Sequence, residues 1–250
     1  MRLSIDAALF AAAMFAGALN SVAGGGSFIA FPALLLLGVP PIVANATNNA
    51  ALWLGSVASA RGYRREIAAH RHLLLRVAVV SIGGGVLGAL LLLRTPVHVF
   101  TALVPYLLLV ATAVFAVSPY LAKPHSGSAR HHTYWQLIAQ FFVSIYGGYF
   151  GAGMSILILA ILAFSGLPSL NAMNGVKNVL ALCINGVALI PFFIAGIVWW
   201  PQATLMAAGA IIGGYLGARI GRRIPAQHLR RFVIAVGAIM TIYFFVKTYA

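Results

Sequence analysis

Two clusters of carboxamides interrupt an otherwise apolar chain, Asn45-Ala46-Thr47-Asn48-Asn49 and Asn174-Gly175-Val176-Lys177-Asn178. Each is entered through a Gly/Pro turn, Gly38-Val39-Pro40-Pro41 or Gly166-Leu167-Pro168, and each is preceded by a glycine knot, Gly24-Gly25-Gly26 or Gly151-Ala152-Gly153. Lys177 is the one cation in the middle of an apolar segment rather than at its edge. An ammonium at the centre of a membrane helix costs about 2.5–3.5 kcal/mol on insertion scales. The chain has only two acids, Asp6 and Glu66, and neither lies in an apolar interior. A bound anion is then the obvious counter-ion.

The amides of Asn45, Asn48, Asn49, Asn174 and Asn178 would add neutral donors that hold an anion without trapping it. The knots fit the same task. Gly24, Gly25 and Gly26 lead into Ser27 with no side chains to block the backbone N–H groups, and Ser27 is placed to cap the helix that follows. A helix N-terminus carries partial positive charge, and Gly151 and Gly153 offer the equivalent in the second half. Each feature has a purely structural reading beside this one. Lys177 can snorkel to an interface, the asparagines can hydrogen-bond helices together, and the glycines can let helices approach closely.

The elements that hold these residues follow from composition. With 62% apolar and 7% charged residues, the chain cannot present the charged surface of a soluble domain. The apolar stretches are too long for barrel strands, which alternate over about ten residues. The fold class is all-α: a polytopic, multi-pass membrane helix bundle. The formal charge of +14 lies in short loops between apolar runs, without an aromatic-basic platform, so it reports orientation and not nucleic-acid binding. Arg2 and the apolar run after it resemble a signal peptide only weakly, and the run is read as a retained helix.

Apolar runs define five segments in a first repeat, residues 1–121, at about 4–23, 27–37, 43–60, 74–94 and 97–121. A cytoplasmic linker, 122–132, precedes a second repeat, 133–250, with segments at about 133–150, 154–165, 171–195, 202–221 and 227–248. A shift of 129 positions carries Asn45 onto Asn174, Asn49 onto Asn178, Pro96 onto Pro225, and Gly84-Gly85 onto Gly213-Gly214; the knots align at a shift of 127. Duplication follows. Gly83-Gly84-Gly85 and Gly213-Gly214 read as close helix contacts.

The basic clusters are Arg61 to Arg76, then Lys123 and Arg130, then Arg219 to Arg231, and all three are expected on the cytoplasmic side. The turn after the third segment is therefore inside. Its equivalent, Gly196 to Pro201, has no charge and carries Trp199 and Trp200, as an outside turn would. The halves are inverted repeats, with sites expected near mid-membrane where they meet. The second segment of each half is short, spanning about 17 Å against the roughly 30 Å of hydrocarbon. A re-entrant hairpin is favoured there, and ten full crossings remain open.

Cys183 is the only cysteine and reads as a small buried hydrophobe. His131-His132 lacks partners at ligand spacing, so no metal site and no cofactor is expected. Asn20, Ser21, Tyr146 and Tyr149 are weaker candidates for reaching a substrate. There is no nucleophile elbow, zinc-protease motif, acid pair or P-loop, and the chain does not read as an enzyme.

The run Asn20-Ser21-Val22-Ala23-Gly24-Gly25-Gly26-Ser27, with Pro32, Gly38 and Ala44 to Asn49, and its recurrence at Gly151 to Gly153 and Asn174 to Asn178, resembles the TauE/SafE family of sulfite exporters, part of the 4-toluene sulfonate uptake permease group. The resemblance covers essentially the whole chain. It implies movement of sulfite, sulfonates or sulfoacetate across a bacterial inner membrane, often as export. The site list above comes from the residues themselves. The leading expectation is a secondary transporter of such oxyanions working by alternating access, with the small anion and the lipid bilayer as partners. The alternative is an anion channel with a pore lined by Asn and Lys. A homodimer is allowed but not required.

Overall fold

A computed structural model describes residues 2–22, 24–121, 133–220 and 226–249. These form an all-helical bundle: α1 (Arg2–Val22), α2 (Ser27–Leu36), α3 (Pro41–Gly62), α4 (Arg64–Ala69), α5 (Arg71–Arg94), α6 (Val97–Leu121), α7 (Thr133–Tyr149), α8 (Met154–Leu162), α9 (Leu170–Ile194), α10 (Trp200–Ile220) and α11 (Ala226–Tyr249). The expected linker 122–132, with Lys123, Arg130 and the His131-His132 pair, lies outside the described residues, as do Arg222, Arg223 and Pro225. Among the described residues, five helical stretches are long and apolar enough to cross a membrane: Ile5–Val22, Arg71–Arg94, Val97–Val117, Leu170–Ile194 and Arg231–Tyr249. Each of the ten expected segments coincides with a helix. The exception is α4, six residues of helix within the stretch that reads as a basic loop.

The second helix of each half is indeed short, 10 residues in α2 and 9 in α8. What ends α2 is Gly38, at φ 79°, where Gly38 N–H donates to the Leu35 carbonyl and Val39 N–H to Leu34 at 3.0 and 3.2 Å. This is the double bond of a glycine C-cap, which only a residue at ease in the left-handed region closes. The glycine knots do the same for the first helices. Gly24 and Gly151 sit at φ 71° and 79°. Their N–H groups reach back to Leu19 and Tyr146 at 2.9 and 3.1 Å, the same bond in each half at the 127 shift.

The helix pairs repeat as the segments do. α1 lies along α10 and α5 along α7; α3 packs on α10 and α9 on α5; α3 crosses α9, and α6 lies against α11. Exchanging the halves turns each pair into another or into itself. The glycines set the distances. A Cβ on Gly84 would stand 2.6 Å from the Phe141 carbonyl oxygen, and one on Gly217 2.6 Å from that of Ala18. Gly213 abuts the Met14 carbonyl and Gly88 that of Ile145. Met14 and Ala18 map onto Phe141 and Ile145 at the 127 shift, while Gly84 and Gly88 map onto Gly213 and Gly217 at 129. One packing scheme is written twice, and of the glycines expected at close helix contacts Gly84, Gly85, Gly213 and Gly214 are at them, while Gly83 is not, its nearest neighbour being Phe141 at 3.8 Å from a Cβ.

Candidate functional site

Where α3 crosses α9, a small void of about 20 Å³ is lined by Asn20, Ser27, Asn48, Asn49, Leu52, Phe150, Gly151, Met154, Ser155 and Asn185. It is an interface between halves. The first residue of α2, Ser27, and the first two of α8, Met154 and Ser155, both border it. Two half-length helices thus direct their N-terminal ends at one point, while the knots take up several of the leading N–H groups: Phe28 donates to Gly25, Ile29 to Gly26, Met154 to Gly151 and Ile156 to Gly153. The partial positive charges of the two helix ends add.

The side chains around the void are amides and hydroxyls. Asn48 Nδ2 donates to Ser27 Oγ at 3.1 Å, and Asn49 Nδ2 to Asn185 Oδ1 at 3.5 Å. The Oδ1 atoms of both Asn48 and Asn49 are buried without a protein partner. A void of this volume takes about one water molecule. A four-atom oxyanion does not fit until the helices part.

Ser27 departs from its expected role. The cap position of α2 is Gly26, in helical conformation with no side-chain cap bond. Ser27, already inside the helix, turns its hydroxyl to Asn48 instead.

Lys177 is completely buried, which excludes snorkelling to an interface. Among the described residues it is the only charged side chain in the buried set. Its Nζ donates to the carbonyls of Asn20 and Ser21, at 3.1 and 3.4 Å. These are among the last carbonyls of α1, which have no acceptor role left inside the helix and carry its negative dipole end. The counter-charge sought in the sequence is thus supplied in part by backbone. Asn45 does the matching job in the other half, donating from Nδ2 to the Tyr149 carbonyl at the end of α7 at 2.9 Å. So α3 caps α7, and α9 caps α1. Each half closes a helix of the other.

The remaining candidates divide. Asn174 and Asn178 are buried on α9 outside the void, and each keeps one side-chain atom unpartnered, Oδ1 and Nδ2 respectively. A Cβ on Gly24 would run into Ser155, one on Gly26 into the Ala16 carbonyl, and one on Gly25 would lie 2.9 Å from Phe115. Gly153 faces Ala111 at 3.3 Å. These four glycines pack the knots against their neighbours, and only Gly151 borders the void. The Tyr146 hydroxyl donates to the Ala152 carbonyl at 2.6 Å and is spoken for within its own turn.

Asn185 and Ser155 are site residues that sequence reasoning missed. Asn185 lies seven residues beyond Asn178, on the same helical face, and Ser155 aligns with Ser27 at a shift of 128, between the two shifts already seen. Both signals were present.

Comparison with known proteins gives the chain's family. The family described as sulfite exporter TauE/SafE matches residues 9–244. A probable membrane transporter protein, ORF9, of a Sinorhizobium species is 30% identical over 94% of this chain and 90% of its own length. A probable membrane transporter protein of Haemophilus influenzae is 28% identical over 96% and 95%. The probable membrane transporter protein YfcA of Escherichia coli K12 is 29% identical over 93% and 87%. No solved structure matches the chain. With a multi-pass helical bundle, a match across almost its whole length and relatives of the same extent, the chain belongs to the TauE/SafE sulfite exporter family.

Proposed function

We propose that this membrane protein is a secondary transporter of small sulfur-containing oxyanions, sulfite or organosulfonates, acting by alternating access of two inverted halves in a bacterial inner membrane, with export as its direction. The observation that carries the reading is the convergence of the α2 and α8 N-termini on one amide-lined void at the seam between halves. Broken or half-length helices that aim their N-terminal ends at a mid-membrane site are a recurrent way to hold an anionic group. Sulfur as the central atom and export as the direction rest on the family description.

In this reading Asn48, Asn49 and Asn185 turn their amide N–H groups to the anion when it enters, exchanging the internal bonds they make when the site is closed. Lys177, one helix face away, exchanges the α1 carbonyls for the anion's charge or holds the positive field while the anion passes. Neither carboxylate belongs to the buried set, Asp6 being exposed on α1 and Glu66 half-buried on α4, so proton coupling through a buried Asp or Glu has no carrier among the described residues. The anion's own protonation or simple facilitated diffusion fits better.

The test is sulfite and alkanesulfonate flux into proteoliposomes. Saturable flux that disappears in Lys177→Gln and Asn48→Asp, with unfolding temperatures close to wild type, is the expected result. Undiminished flux in both variants overturns the site. Flux that never saturates with substrate favours the channel.

A further inference from the structure

A second site lies away from the seam. Where α3 ends against α10, Arg61, Gly62 and Arg64 face Tyr215, Ala218 and Arg219 around a pocket of about 500 Å³. The helices approach closely there because Gly62 takes up the Ala218 side chain, and Ser59 Oγ donates to the Gly214 carbonyl at 3.3 Å. Three arginines line the pocket where the helix pair runs out.

The apolar surface leading up to this pocket is in register with it. On α3, Leu54 and Val57 are exposed and stand seven and four residues before Arg61, on one helical face. On α10, Ile212 and Tyr215 are exposed and stand seven and four residues before Arg219. Two apolar stripes therefore run side by side and both end on an arginine.

The internal duplication supplies a control. The groove between α5 and α9 is built like that between α3 and α10: Gly85 meets the Ile184 carbonyl as Gly214 meets that of Gly55. At the positions equivalent to Arg61, Arg64 and Arg219, however, stand Ile190, Phe193 and Leu90, all exposed and apolar. The common packing does not demand arginines there. They are a property of one groove.

From this we infer that the α3/α10 groove binds an anionic phospholipid of the leaflet facing the arginine loops, its acyl chains along Leu54, Val57 and Ile212 and its phosphate among Arg61, Arg64 and Arg219. Arginine stays charged at every working pH and offers several N–H donors to phosphate oxygens. Basic pockets between membrane helices recognise acidic lipid headgroups by this combination of charge and an adjoining apolar wall. A soluble anion would use the arginines and leave the stripes without purpose, so the charge and the apolar surface together select the lipid.

The full chain, purified in mixed micelles, is titrated with phosphatidylglycerol, with phosphatidylcholine of the same acyl chains, and with inorganic phosphate, and unfolding temperature is read. Phosphatidylglycerol is expected to stabilise it and the other two are not. In a variant carrying Arg61→Gln, Arg64→Gln and Arg219→Gln, the apparent affinity should fall by about fivefold per arginine removed. The corresponding lysine variant should keep the preference, which separates lost charge from lost fold. Equal stabilisation by phosphatidylcholine, an undiminished response in the glutamine variant, loss of the preference in the lysine variant, or full reproduction of the effect by inorganic phosphate overturns the proposal, the last by making this a small-anion site.

Discussion

Trp53 donates its indole N–H to the carbonyl of Leu182 at 3.0 Å, and the two residues are 129 positions apart. That is the shift which superimposes Asn45 on Asn174. A residue thus bonds to its counterpart at the repeat shift, where α3 crosses α9. Close by, Asn49 and Asn185 join the same two helices at the void. The site thus sits beside the crossing of the only two helices that carry the amide clusters.

This crossing yields a first prediction. Trp53→Phe keeps an aromatic ring but removes the donor, leaving the Leu182 carbonyl with its own helical bond alone, at a cost of about 1 kcal/mol in stability. Gly186→Ala pushes a methyl to within 2.8 Å of the Trp53 Nε1, against a ring held by its own bond. It should cost more than the Phe change, about 1–3 kcal/mol. Thermal unfolding in detergent orders the two. An order reversed in that assay would mean the crossing is not tightly packed.

Lys177 gives a second. Lys177→Ala leaves the carbonyls of Asn20 and Ser21 buried without a donor, and each such loss costs about 1–3 kcal/mol. Lys177→Gln keeps a donor on a side chain of nearly the same length and should recover most of that stability. Anion flux should be lost in both. A variant set in which stability and flux fall and recover together would reduce Lys177 to a cap.

How much of this was readable in the sequence depends on the kind of group. Asn48 and Asn49 announce themselves because a carboxamide in an apolar run is costly unless something answers it. The duplication was readable because matched asparagines at one shift are hard to obtain by chance, whereas matched glycines are cheap. The partners of Lys177 were not readable. Backbone carbonyls are the same at every position, and only the fold decides which helix end meets which side chain. α4 escaped for a similar reason, since six residues with three charges show no periodicity until Gly175 of α9 seats against Tyr63, Glu66 and Ile67.

The two neighbours Gly83 and Gly84 provide a third prediction. A Cβ on Gly83 meets nothing closer than Phe141 at 3.8 Å, ordinary contact, while one on Gly84 would stand 2.6 Å from a backbone oxygen. Gly83→Ala should be neutral or stabilise by up to about 1 kcal/mol, the helix-propensity gain. Gly84→Ala should force α5 from α7 and destabilise by at least about 1–3 kcal/mol. Gly213→Ala, its equivalent against Met14, should behave like Gly84→Ala. Three single-site unfolding curves decide the matter, and a harmless Gly213→Ala would break the equivalence of the halves.

The last prediction concerns Ser155. It borders the void at the start of α8, and its Cβ lies against the face of Gly24, where any side chain would collide with it. Ser155→Ala keeps that packing and removes one hydroxyl, so the fold should be unaffected while affinity for the transported anion falls by about tenfold to a hundredfold, the worth of one hydrogen bond to a charged group. Gly24→Ala does the opposite. It strains a residue at φ 71° by about 1–2 kcal/mol and drives the knots apart, so stability and transport fail together. Measuring flux at several substrate concentrations beside unfolding temperature separates them. If Ser155→Ala transports with unchanged concentration dependence, the α8 N-terminus does not touch the anion, and the convergence of the two short helices serves packing alone.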